Sequence, residues 1–129
     1  MMSNNEKYIT ELHQENKQWL EALKFYKDEI KVLRNRLGEV SNKNSAPQVK
    51  MSISHFENQC IINDEQADEL AHAVKENEAS LQANINANPT AVDHRKLPDH
   101  EVLRAKVVKF EELFKTLRAE ANDFFAKVM

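Results

Sequence analysis

Residues 9–40 read ITELHQENKQWLEALKFYKDEIKVLRNRLGEV. Their apolar side chains fall in alternating steps of three and four, from Ile9 through Leu12, Trp19, Leu23, Tyr26, Ile30, Leu33 and Leu37 to Val40. At 3.6 residues per turn, this spacing puts them all on one face of a long helix. The stripe returns as Ile53, Phe56, Cys60, Ala67, Leu70, Val74 and Leu81, and again as Leu103, Val107, Phe110, Phe114, Leu117, Ala121, Phe124 and Val128. Gly38 is the single glycine of the chain.

Two breaks divide these stripes. The first is the polar run Ser41 to Gln48, ending near Pro47; the second runs from Asn86 to Pro98 and holds Pro89. Proline cannot continue a helix from its interior but suits a first turn, so the breaks predict helices over residues 4–40, 52–86 and 98–127. Short loops between long helices make neighbours antiparallel. The expected fold is all-α: an antiparallel up-down-up bundle of three long helices with coiled-coil-like packing, forming a single domain over residues 1–129.

The 129 residues are 41% apolar and 30% charged, with a formal net charge of -3. That balance suffices for one core sorted onto helix faces, and it supplies no bulk positive field for nucleic acid or an anionic membrane. No stretch is long and apolar enough to span a bilayer, and residues 1–7 are polar. The lone Cys60 cannot pair within the chain, so the expected compartment is the reducing cytoplasm. Residues 53–88 carry seven acids against Lys75 alone, whereas residues 95–129 carry eight bases against six acids. In adjacent helices such asymmetry selects pairing more than it stabilises, because exposed ion pairs contribute only about 0–1 kcal/mol each.

The stripes are not apolar throughout. Asn16, Asn63, Asn77, Asn84 and Asn88 occupy positions facing the seam, and His100 opens the third stripe one turn before Leu103. Antiparallel folding gathers Asn16, Asn77, Asn84, Asn88 and His100 at one end, with His13 and His94 close by. The simplest reading is a polar seam that fixes register, as buried Asn does in coiled coils. The alternative is a metal or small-ligand site near His13, His94 and His100.

Catalytic chemistry finds little footing. Glu69-x-x-His72 is a single copy of an element that di-iron bundles use in pairs, and the heptad frame turns His72 outward, toward a partner such as Asp68. With one glycine there is no phosphate-cradling loop, and Cys60 lies within an apolar stripe. The expectation is therefore a protein that is not an enzyme and has no cofactor. Phe25 and Val32 lie off the seam of the first helix, level with Ile62 of the second and Phe125 of the third. These four residues are expected either to widen the core or, as the favoured reading, to form an interface between copies.

The segments His55-Phe56-Glu57-Asn58-Gln59, Val92-Asp93-His94, Pro98-Asp99-His100 and Phe110-Glu111 resemble a family of small uncharacterised helical-bundle proteins of Bacteroidetes-type bacteria. The resemblance implies a cytoplasmic bundle and carries no functional residue onto this chain. The function expected from the sequence is a non-enzymatic structural or protein-interaction bundle. Its partners would be further copies of itself or another protein, with neither nucleic acid nor membrane.

Overall fold

The computed structural model describes residues 4–87 and 96–129. It contains three helices and, among these residues, no strand: α1 spans Asn4–Lys43, α2 Pro47–Ala87 and α3 Lys96–Val128. The helices pack on one another as an all-α bundle. Cross-helix pairs give their directions. Along α1, His13, Lys27 and Arg34 meet Glu78, Asp68 and Glu57 of α2, so α2 runs back along α1. Glu15, Tyr26 and Glu29 meet Arg104, Glu111 and Arg118, so α3 runs the same way as α1.

The first break is shorter than the sequence suggests. Only Asn44-Ser45-Ala46 lies outside the helices, because Pro47 starts α2 instead of closing a loop. A helix's first residue has no intrahelical use for its N–H, so proline costs nothing there. The turn is held from both sides. Asn44 Nδ2 donates to the Val40 carbonyl at 2.9 Å, and Lys50 Nζ reaches back to the Ser41 carbonyl and hydroxyl. On the same grounds α3 starts at Lys96, two residues ahead of Pro98, and ends one residue beyond the expected Lys127. Asp99 in its first turn and Lys127 in its last complement the helix dipole.

One continuous core follows the three stripes, from Trp19 and Leu23 to Leu37 and Val40 on α1, Ile53 to Val74 on α2, and Leu103 to Phe125 on α3. Two positions depart from expectation. Leu70 is half-buried, since it sits where α2 turns toward an open groove beside α3. Phe125, expected at an outer interface, is buried at 4% exposure, while Phe124 is only partly buried against Phe56. The reason is helical drift. A 3.6-residue turn slips against a 3.5-residue repeat, so after Leu117 and Ala121 the next inward position is Phe125. Arg36 then lies over its ring, 5.7 Å from the centroid.

Two substitutions test this packing by chemical denaturation. Leu117→Ala should cost about 2–5 kcal/mol, and half-buried Leu70→Ala clearly less; equal losses would contradict the burial assigned to Leu70. Gly38 is helical, and a Cβ added there meets nothing within 4 Å. Gly38→Ala should therefore raise stability by about 0.5–1 kcal/mol, and a loss would indicate an obstruction.

Candidate functional site: a directional polar seam and an apolar groove

Three residues expected at the polar end come together as side-chain partners from all three helices. Asn16 and His100 are 1% and 2% exposed, in positions otherwise reserved for the apolar core. Asn77 joins them, its Nδ2 donating to Asn16 Oδ1 at 3.1 Å and to His100 Nδ1 at 2.9 Å. The chain continues outward at both ends. Asn16 Nδ2 donates to Glu78 Oε2 at 3.1 Å, and His13 Nδ1 lies 2.6 Å from Glu78 Oε1. On the other side His100 Nε2 meets Glu15 Oε1 at 3.1 Å, and Arg104 Nε donates to Glu15 Oε2 at 2.8 Å.

The direction of every bond in this chain follows from its anchors. An ionised carboxylate only accepts, so Asn16 must present its NH₂ group to Glu78 and its carbonyl to Asn77. Asn77 must then turn both N–H bonds toward Asn16 and His100, which leaves His100 Nδ1 as an acceptor. The Nε2–H is thus free to donate to Glu15. In this chain of bonds Nδ1 of His100 accepts and Nε2 donates, so both ring nitrogens are engaged. Its imidazole also rests against Trp19, with ring centroids 4.8 Å apart.

Both carboxylates are tuned by these contacts. The Arg104 guanidinium holds Glu15 below the usual carboxylate range against the effect of burial, with His100 adding a further hydrogen bond. Burial pushes Glu78 upward, but hydrogen bonds from His13, Asn16 and Gln82 outweigh it and leave a net lowering. Elsewhere in the core, burial and the nearby Glu57 raise the Cys60 thiol to about 11, so it stays protonated and unreactive.

This arrangement suits a structural lock better than a binding site. The cavity beside Leu12, Asn77, Leu81 and His100 has about 10 Å³, room for at most a single water. Neither ring nitrogen of His100 offers a free lone pair to a metal, and His13 Nδ1 is taken by Glu78. Among the described residues, no three His, Cys, Asp or Glu side chains cluster as a metal site. Asn88 and His94 lie outside the described residues, as does the side chain of Asn84. Asn63, the remaining seam asparagine, stands apart: its Nδ2 donates to the Gln59 carbonyl at 2.8 Å and its buried Oδ1 has no partner among the described residues. His72 faces outward as expected, but it pairs with Glu76 at 2.9 Å, and Asp68 instead meets Lys27.

Sequence reasoning missed Glu15, Glu78 and Arg104, which terminate the chain of hydrogen bonds. Each flanks a seam position, where charged residues are ordinarily solvated. The available signal was opposite charge at matched height on α1 and α3.

The second feature is a groove between α2 and α3. Its wider section, about 600 Å³, is lined by Gln66, Glu69, Leu70 and Ala73 on α2 and by Val102, Lys106, Lys109 and Leu113 on α3. It continues past Gln66 and Leu113 into a section of about 330 Å³ that includes His55, Ile62 and Glu120. The small side chains Ala73 and Ala105 line the wider section. Ile62 belongs to this groove, whereas Phe25 and Val32 are exposed on α1 outside its lining and Phe125 is buried. The four residues expected to share one interface therefore do not form a single surface.

Comparison with known protein families, with curated proteins and with solved structures finds no match to this chain.

The lowered carboxylates fix the sign of a pH test. A group whose pKa is depressed on folding contributes stability above its unfolded value and loses it as pH falls through the folded value. Stability should drop as pH falls below 4.5, the ordinary value for the Glu15 and Glu78 carboxyls. A Glu15→Gln/Glu78→Gln variant should be less stable at neutral pH and show a shallower decline in acid. An unchanged acid slope, measured by denaturant unfolding, would sink the assignment.

Proposed function

We propose that this chain is a non-enzymatic helical bundle of the cytoplasm that serves as a structural or protein-interaction module and works as a homo-oligomer. The observation that carries the reading is the α2–α3 groove. Ile62, Val102 and Leu113 are 45%, 54% and 43% exposed along it, next to half-buried Leu70. Single exposed apolar residues are ordinary on a protein surface, but a contiguous run of them marks association.

The polar chemistry supports a structural role. The buried histidine and asparagines spend their hydrogen bonds on one another across three helices, which fixes the relative height of those helices. The buried thiol of Cys60 fits a compartment where cysteines stay reduced. No helix among the described residues is long and apolar enough to cross a membrane.

Light scattering across a dilution series tests the reading. The wild-type mass should exceed the 15.0 kDa of one chain at the higher concentrations and fall on dilution. A mass of one chain throughout would overturn it.

A further inference from the structure

We infer that a second copy of this chain occupies the α2–α3 groove, related by a two-fold axis running along the helices so that each α2 lies on the other copy's α3. This rests on the oligomeric reading above and names its surface and symmetry.

The argument begins with the charges on the groove's edges. The α2 edge carries Glu69 and, toward the other end, His55; the α3 edge carries Lys106 and Lys109 and, toward the other end, Glu120. A two-fold axis along the groove keeps heights fixed and exchanges the two edges. Glu69 of one copy then faces the Lys106 and Lys109 height of the other, and His55 faces the height of Glu120. The surface is its own complement, which a symmetric dimer requires.

An axis across the helices gives the other face-to-face pairing and would lay α2 on α2. Several acids of that helix are already spent on α1, Glu57 on Arg34 and Asp68 on Lys27, but Glu69 at the groove would lose Lys106 and Lys109 of the other copy as partners in such a pairing. The axis along the helices keeps those opposite charges together. Between the charged edges the apolar centre is continuous, running from Ile62 through Leu113 to Leu70 and Val102.

The size of the surface allows this assembly. From His55 to Ala73 the groove is about 27 Å long at 1.5 Å per residue, and two helices abreast are about 20 Å wide. That projection is on the order of 500 Å² before surface relief is added, about two-thirds of the ~800 Å² per partner of a standard interface.

The test is sedimentation and light scattering of the full chain and its variants over a dilution series, with helicity followed by circular dichroism. The wild type should have the mass of two chains. Leu113→Glu and Ile62→Glu should each raise the dimer Kd by about 100-fold or more with helicity retained, since a charge there is buried only in the dimer. Glu69→Lys should weaken the dimer about tenfold, and adding Lys106→Glu and Lys109→Glu should restore most of that loss. Val32→Glu, outside the groove, should leave the mass unchanged.

A dimer that withstands both Leu113→Glu and Ile62→Glu would overturn the groove while leaving the oligomeric reading intact. Dissociation by Val32→Glu alone would move the interface to α1. Tightening by Glu69→Lys would show α2 packed on α2 and overturn the proposed axis. A monomeric wild type would overturn the proposal and the oligomeric reading together. If one groove variant loses its helicity, the other and the charge exchange decide.

Discussion

Each helix of this protein has only one face it can hide from water, and everything else follows from satisfying three such faces at once. The apolar stripe repeats every three to four residues along each helix, so burial demands that three stripes point to a common line. Leu23, Ile30, Val74, Val107 and Phe114 are at most 1% exposed because they meet on that line. Once the stripes converge, the helices cannot rotate about their axes without exposing this core. Apolar packing is tolerant of sliding along the axis, however, since one leucine layer resembles the next.

The polar seam removes that tolerance. Asn16, Asn77 and His100 find their partners only when α1, α2 and α3 stand at one relative height. A slip of one turn would bury the same groups without hydrogen bonds, at a cost of roughly 1–3 kcal/mol for each group left unsatisfied. The charges at the ends of the seam add direction to position. Glu78 sets which way the amide of Asn16 points, and that orientation passes through Asn77 to select the tautomer of His100. A half-buried carboxylate on α2 thus sets which ring nitrogen of a buried imidazole on α3 accepts a hydrogen bond.

The two long sides of α2 differ in kind. Toward α1 it is held by charged pairs, Lys27 with Asp68 and Arg34 with Glu57, which are complete within one chain. Toward α3 it leaves an apolar channel bordered by Glu69, Lys106 and Lys109. A bundle of three helices closes its core on the inside but cannot cover the outer flank of every pair. On this chain the uncovered flank combines an apolar centre with charged edges of opposite sign, the composition that association uses.

The fold class was legible in the sequence because hydrophobic period is a local property. Three stripes and two breaks around proline were enough to predict three helices, and the seam positions of Asn16, Asn63, Asn77 and His100 were readable from the same frame. Helix ends were less so, since Pro47 can close a loop or open a helix and only the neighbouring turn, tied by Asn44 and Lys50, decides between them. Phe125 entered the core in place of Phe124 because drift between the helical turn and the heptad accumulates over distance, which no local window registers. The partners Glu15, Glu78 and Arg104 likewise depended on height along other helices. Sequence determined which face of each helix would be buried, since that depends on spacing within one segment. Tertiary structure alone decided which residues meet across helices and where a groove stays open, since those depend on the relative height and distance of segments far apart in the chain.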